Sequence, residues 1–555
     1  MPVERWAPDV ILTNGRVRTL DAADSVVQAV AVKHGRIVGL GTDDEIRALA
    51  DAQTVVLDAR GRTVLPGFID GHTHFQSAAI ERALLIDWLE LSPRTLSEAL
   101  HIIRQRAVGL PPGTWIRGDG FMEHHLAEQR FPTRWEIDEF APDHPVMILG
   151  VGKHMLAANS LALHLAGITR DTADPPGGKI DRDERGEPTG ILRERGKLRL
   201  DPVRADSVIP RYSVDERVEA IRQGFQHLHS RGVTSIHDIV PDPVELQAYQ
   251  RLKAAGEMNV RVQLLIRGIE SQTPLEHVLS LGLQQGFGDE WLRFGGIKMS
   301  VDGACVWKNA AVYDPYPGEP HNCGIVRIPQ DELDEKVLLC HQAGLRVAIH
   351  AIGQRAVDMA LEALGKALEA QPRPGHRHRI EHAYLPAPPG QLERMARLGI
   401  VASPQPSFIY GFGDGWVHVW GEDNLPHVMP LRTMLDLGLR VMGSTDFPCV
   451  HVNPFLGLKS AIVRQTRFGY QLDPRETITL PEALRLQTSG AAYGGFEEHL
   501  KGTLELGKLA DLIVISDDPF AVPTDQLDQI QVDATVVGGK LVYERPEAAP
   551  VAYLS

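Results

Sequence analysis

The chain has 555 residues, 43% hydrophobic and 23% charged, the composition of a soluble globular protein with length for about three domains. At that length a core can form without disulfides or metal. With 57 Lys and Arg against 72 Asp and Glu the formal net charge is −15, which excludes a general nucleic-acid binder and a polybasic membrane-surface protein.

The densest basic run, Arg193, Arg195, Lys197 and Arg199, alternates with other residues and reads as a solvated face. The four cysteines, at 305, 323, 340 and 449, form no C-x-x-C pair and are too sparse for a disulfide scaffold. The N-terminus carries Glu4, Arg5 and Asp9 where a secretory signal would have an apolar segment. No stretch reaches the ~18 apolar residues of a membrane span. A cytoplasmic protein is the expectation.

Residues 10–65 read as short strands. Val10–Thr13, Asn14-Gly15 and Arg16–Thr19 form one hairpin signal, because Asn-Gly supplies the positive φ angles of a tight turn. Ala29–Lys33, His34-Gly35 and Arg36–Leu40 repeat it, and Thr54–Leu57 follows. The C-terminus is similar: Leu512–Ile515 is apolar, and Val532–Val537 and Lys540–Tyr543 flank Gly538-Gly539. Two β-rich ends predict one domain made from both termini; separate flanking modules would look the same.

The middle alternates strand and helix. The predicted strands are Phe68–His74, Thr234–Val240, Arg261–Ile266, Gly296–Ser300, Arg346–His350, His378–His382, Gly399–Ser403 and Leu439–Ser444. Helical patterns such as Gln330–Ala343, Gln354–Glu369 and Gln391–Leu398 lie between them, with Gly344 and Gly399 placed as C-caps. Eight such units predict an α/β fold, a (β/α)8 TIM-like barrel whose working end is the C-terminal edge of the strands. Far more chain than one crossover helix separates Phe75 from Val233, which predicts an insertion after the first strand. That insertion includes a strand at Pro145–Gly150 and a helix at Ser160–Ala166.

Polar residues close the apolar runs. His72-Thr73-His74 ends the first strand, and residues two apart share a face, so both imidazoles can reach one point. His350 ends the fifth, His382 the sixth, and Asp446 follows the eighth. Singly each fits a hydrogen-bonded strand end. Jointly they place imidazoles and a carboxylate at one barrel mouth, the ligand mix for zinc or a similar divalent ion. Lys298 lies inside an apolar strand, where a bare cation is costly. It either pairs with a neighbouring acid such as Asp302 or reacts with CO₂ to become an anionic carbamate ligand.

In this order the residues resemble the amidohydrolase superfamily, and within it amidohydrolase family 3, metal-dependent hydrolases that include N-substituted formamide deformylases. The matching stretches include Val64–His74, Gly232–Asp238, Ile297-Lys298 to Asp302-Gly303, His350–Gly353, Arg379–Ala383, Ser403–Pro406, Ser444–Pro448 and Gly507–Leu512. The resemblance implies the barrel, a small β-sandwich domain from both termini (residues 1–65 with 495–555), a barrel over 66–494 and an inserted subdomain at about 85–205. It implies metal ligation by His72, His74, His350 and His382, a carbamylated Lys298 bridging two zinc ions, and Asp446 as both ligand and catalytic proton carrier. Asp238 and Glu381 would support. His154 matches a histidine that reaches the substrate or is a surface residue. Two departures stand out. Gln354 replaces a usual Asp, and Trp307 stands in a segment usually built of small residues, where it reshapes the pocket or packs.

The implied activity is hydrolysis of a C–N bond in an amide-like small molecule by hydroxide on the metal, with Asp446 as general acid and base. The alternatives are an ester or carbamate hydrolase, a deaminase, or a retired structural relative. The partner expected is a small-molecule substrate, with no nucleic acid and no membrane; a homo-oligomer is allowed.

Overall fold

The computed structural model describes residues 7–150, 155–175, 178–200, 206–240, 243–268, 274–421 and 427–551. It divides into two compact units, Gln76–Gly224 and the rest of the chain.

In the larger unit the two chain ends meet in one sheet. Thr63–Pro66 pairs antiparallel with Leu512–Ile515, and the sheet of six continues to Val532–Val537 and Lys540–Glu544 on one side and to Arg16–Arg18 and Val26–Val27 on the other. A four-stranded sheet holds Arg36–Gly41, Ala29–Lys33, Val10–Thr13 and Val55–Asp58 in that order. Alternate residues of both sheets, among them Leu12, Val30, Leu57, Val64, Leu512 and Val536, share one apolar cluster.

Two of the three predicted hairpins form. His34 and Gly35 have φ of 50° and 73°, Gly538 and Gly539 of 56° and 76°, the paired positive values that a two-residue turn of matching twist requires. Asn14-Gly15 is not a hairpin. Asn14 alone has positive φ, at 53°, and Gly15 N–H donates to Gln28 O at 2.9 Å. The chain therefore crosses from the four-stranded sheet to the six-stranded one instead of folding back.

Eight parallel strands form the centre: β1 (Phe68–Thr73), β2 (Val233–Val240), β3 (Arg261–Arg267), β4 (Leu292–Ser300), β5 (Val347–Ala351), β6 (Arg379–His382), β7 (Val401–Ser403) and β8 (Arg440–Val441), hydrogen-bonded in chain order. Helices Gln330–Gln342 and Gln354–Ala370 follow β4 and β5, within a residue of the sequence expectation. β2 is buried along its whole length, as parallel strands covered on both faces are. The sheet closes on itself. Asp446 N–H donates to His72 O at 2.9 Å, His74 N–H to Phe447 O at 2.8 Å and Gly71 N–H to Gly443 O at 3.2 Å. Asp70 ties the same seam by accepting from Thr445 N–H at 2.9 Å. The result is a TIM-like barrel with β1 and the segment after β8 at the seam.

One bulge matters for the site. Register slips where Leu264 opposes Phe294 but Leu265 opposes Gly296, leaving Gly295 extra. Gly296 takes φ of 124°, and a Cβ there would lie 2.4 Å from Arg346 O, so only glycine fits. Lys298 follows two residues later.

The smaller unit is a six-stranded sheet in the order Gly178–Arg182, Pro188–Glu194, Met155–Ala158, Val146–Gly150, Ile116–Phe121, Ile86–Asp87. Along Val146–Gly150 alternate residues serve opposite faces. Val146 and Ile148 join a cluster with helix Leu96–Ala107, while Met147 and Leu149 join one with helix Ser160–Ala166. Among the described residues no helix is long and apolar enough to cross a membrane.

At the opposite end of β5 and β6 from the seam histidines lies a buried imidazole chain. His378 Nδ1 accepts from Val347 N–H at 3.0 Å, its Nε2 meets His341 Nδ1 at 2.9 Å, and His341 Nε2 reaches Gln371 O at 2.7 Å. His376 Nδ1 accepts from His378 N–H at 2.9 Å. Neutral rings satisfy every one of these bonds, whereas a proton on His378 Nδ1 would abolish one. Burial lowers His341 and His376 and holds His378 well below the usual histidine range. The unfolded chain therefore takes up protons first as pH falls. The stabilisation is complete above the ordinary histidine pKa of about 6.5 and is lost below it. The urea midpoint is expected to drop between pH 7 and pH 5, and less steeply in His378→Asn, which keeps an acceptor for Val347 N–H. Equal slopes in the two proteins would contradict this.

Candidate metal centre

Six side chains named from the sequence gather at the C-terminal edge of the barrel strands. His72 and His74 come from the end of β1, Lys298 from β4, His350 from β5, His382 from β6 and Asp446 from just after β8. The ligand atoms of His72, His74 and Asp446 lie within 4.8 Å of one another. His72 Nε2 is 3.2 Å and His74 Nε2 3.4 Å from Asp446 Oδ1. The His382 ring sits 4.4 Å from that of His350 and 5.1 Å from that of His72, centroid to centroid. His74, Lys298, His350, His382 and Asp446 all line one cavity of about 260 Å³.

Two buried partners set the tautomers. Glu381 accepts from His72 Nδ1 and, through its other oxygen, from Arg379 Nε. Arg379 also donates to Gly71 O at 3.0 Å. With Nδ1 committed to a carboxylate, the His72 Nε2 lone pair faces the cavity side. Gln405 does the same for His382. Its Nε2 donates to Ser403 O at 2.7 Å and Ser444 Oγ at 2.8 Å, so its Oε1 is the acceptor for His382 Nδ1 at 2.7 Å.

The backbone is strained at two of these positions. His382 has φ of 75° and Asp446 of 57°, values that non-glycine residues adopt at a cost of about 1–3 kcal/mol each. Seam and strand-end contacts hold them there.

Burial favours neutral imidazoles. It lowers His74 to about 4 and His382 to about 3, and holds His350 well below the ordinary range. Asp446 and Glu381 go the other way. Burial alone would raise them, but His72 and His74 beside Asp446, and Arg379 and His72 beside Glu381, keep both well below the usual carboxylate range. Burial brings Lys298 down to about 8. His74, His350 and His382 are thus held neutral beside an ionised Asp446, the state in which imidazole and carboxylate bind metal.

No ion pair joins Lys298 to Asp302. The Asp302 carboxylate instead accepts from Ala311 N–H at 2.9 Å, Ile352 N–H at 3.0 Å and Gly353 N–H at 2.8 Å. Burial raises Asp302 to about 7 against these three N–H bonds, and it stands at the N-terminus of helix Gln354–Ala370, where Gln354 brings no charge. Asp238 accepts from Phe75 N–H at 2.6 Å and Tyr249 OH at 2.7 Å, bracing the end of β1. His154 lies outside the described residues. Trp307 closes a short 3₁₀ turn, Cys305–Trp307, and its side chain is likewise outside them; its neighbour Val306 lines the cavity. Phe408 lines the cavity too, whereas Trp416 is buried against Tyr384.

The donor set passes a direct test for a metal. His72 Nε2, His350 Nε2 and Asp446 Oδ1 are buried polar atoms with no hydrogen-bond partner. Natural proteins seldom leave such atoms unpaired; His72 Nε2 and Asp446 Oδ1 lie 3.2 Å apart within the His72–His74–Asp446 group, while His350 Nε2 lies 3.5 Å from Asp302 Oδ1. Sequence reasoning missed Gln405 as the partner of His382, and Arg267 and Arg327 in the cavity wall. The Ser403–Pro406 match was the only signal for Gln405, and none marked the arginines.

Known proteins resemble this chain along most of its length. The model of a family described as the amidohydrolase family matches residues 55–543. The chain is 35% identical to N-substituted formamide deformylase of Arthrobacter pascens over 97% of its own length and 98% of that protein's. It is 29% identical to a putative amidohydrolase, YtcJ, of Bacillus subtilis over 96% and 98%. A crystal structure of a metal-dependent hydrolase from Pyrococcus furiosus superposes with a TM-score of 0.75 at 28% identity, covering 92% of this chain and 99% of that one.

Proposed function

Because the chain belongs to the amidohydrolase family, we propose that it is a metal-dependent hydrolase of C–N bonds acting on a small N-substituted amide, with formamides the first class to test. The observation that carries this reading is the His72–His74–Asp446 cluster, in which His72 Nε2 and Asp446 Oδ1 have no hydrogen-bond partner. His72, His74, His350, His382 and Asp446 would hold divalent metal, two zinc ions in the binuclear form. Lys298 would join them as a carbamate: its neutral amine adds to CO₂, one N–C bond forms and one proton leaves. Burial favours that neutral amine, bringing Lys298 down to about 8 against the charges of Glu381 and Asp446. We also read the terminal sheets as one composite β-sandwich domain of residues 1–65 and 495–555.

Metal bound here supplies Lewis-acid polarisation of a carbonyl and acidifies water near neutral pH. Asp446, ionised and beside His72 and His74, takes a proton from the attacking water and passes it to the departing nitrogen. That transfer decides the reaction, because an unprotonated amide nitrogen is a very poor leaving group. His72 is held for its part by Glu381 and His382 by Gln405. The apolar wall at Phe408 limits the water that reaches the reacting bond.

Dialysis against a chelator is expected to cut turnover of N-formyl amines at least 100-fold, with zinc or manganese restoring it. Elemental analysis beside an assay for released amine makes the test. Full activity in metal-free protein would end the proposal, and release of ammonia or an alcohol would redirect it to deamination or ester cleavage.

A further inference from the structure

The carboxylate that sets the His72 tautomer is itself held from deeper in the barrel. Arg379 donates to Glu381 through Nε and to Gly71 O at 3.0 Å, and it turns its remaining nitrogen to His237 Nδ1 on β2 at 3.1 Å. Arginine only donates, so His237 Nδ1 is the unprotonated nitrogen of that ring and Nε2 carries the hydrogen. Burial, and then the charge of Arg379, keeps His237 well below the ordinary histidine range, which preserves that lone pair at neutral pH. His72, Glu381, Arg379 and His237 are each 0% exposed. Arg379 opens β6 and His382 closes it, so this chain of four runs from the ligand end of the barrel towards the other. Beyond His237 lies the turn after helix Ala491–Gly494. There Gly495 O accepts from Gln263 Nε2 at 2.7 Å, and Glu497 pairs with Lys501 at 2.9 Å and Arg293 at 3.6 Å. Gly495 has φ of −92°, which alanine also adopts, yet a Cβ there would stand 2.9 Å from His237 Nε2 and 3.0 Å from Glu497 Oε2.

We propose that His237 is a positioning residue of the metal centre and that the turn at Gly495 keeps it in place. The proposal rests on reading the cluster around His72 as a metal centre, and it adds a control on that centre from the far side of the barrel. Glu381 gives one oxygen to Arg379 and the other to His72, so the carboxylate pivots if the guanidinium turns. Without His237 a buried cationic N–H would lose its acceptor, and the guanidinium would turn to find another. Glu381 would follow, and the His72 ring with it. A metal tolerates little of this, since its ligand distances are fixed to about 0.2 Å. A side chain at residue 495 would push on the same chain from its far end. His237, Arg379 and Gly495 are not among the described residues that line the cavity, so their effect reaches the ligands through Glu381.

Three variants of the full chain test this. His237→Leu removes the acceptor at similar volume, His237→Asn keeps an acceptor near the Nδ1 position, and Gly495→Ala presses on the ring from the far side. The probes are zinc, in competition with a chelator, and cobalt, whose visible absorption reports the geometry of its ligands. Thermal unfolding is followed beside them. His237→Leu is expected to weaken zinc binding roughly tenfold and to change the cobalt spectrum, while His237→Asn stays within about threefold of the parent. Gly495→Ala is expected to change the spectrum in the same direction as His237→Leu. A folded leucine variant with the parent's zinc affinity and cobalt spectrum overturns the proposal, as does an asparagine variant no better than the leucine one; both leave the metal centre standing. If the leucine variant does not fold, Gly495→Ala decides: a changed spectrum supports the proposal and a parental one overturns it. A parent protein that takes up neither ion overturns the metal-centre reading itself.

Discussion

Asp446→Asn is expected to lower kcat by roughly 10²–10⁴-fold, the range over which a positioned acid and base contributes. Asparagine keeps the volume and an oxygen near His72 and His74, and it tolerates the left-handed backbone at φ of 57° better than most residues. The fold and most of the metal should therefore survive, and the loss should fall on turnover rather than on KM. Amine release measured beside elemental analysis reads both. Wild-type kcat in a metal-loaded Asp446→Asn protein would remove this residue from proton transfer.

Glu381→Ala is expected to destabilise the protein by about 3–5 kcal/mol, because it strands the fully buried Arg379 guanidinium without its carboxylate. It also frees the His72 ring, so metal affinity should fall by roughly 10–100-fold, the usual cost of losing a residue that orients a ligand. Glu381→Gln keeps an acceptor for Arg379 and should recover much of the stability while affinity stays reduced. Urea unfolding and competition with a chelator separate the two effects. An alanine variant as stable and as metal-avid as the parent would show that the Arg379–Glu381–His72 chain does no work.

The ligand candidates could be read from sequence because each closes an apolar run at a strand end, and position along a strand fixes direction. The supporting residues could not. Gln405 and His382 meet only through the pairing of β6 with β7 and the approach of Ser444, which no local pattern encodes. Arg267 and Arg327 look like ordinary surface arginines until the barrel closes. Leu439–Ser444 reads as one strand, yet only Arg440–Val441 joins the ladder. Beyond it Met442 N–H bonds to Ala402 O, but Gly443 N–H turns to Leu486 O, outside the sheet. Asn14-Gly15 misleads for the same reason: turn chemistry is local, and the choice of sheet is not.

The seam that closes the barrel has a consequence for biosynthesis. His72 and His74 emerge early from the ribosome, but the carboxylate that completes their cluster comes near the end and is tethered to them by backbone bonds across that join. A nascent polypeptide that has not yet reached Asp446 therefore has the candidate imidazoles but lacks both the carboxylate and the strand seam that would fix them around it. If the site binds metal as proposed, tight capture would wait until the seam closes.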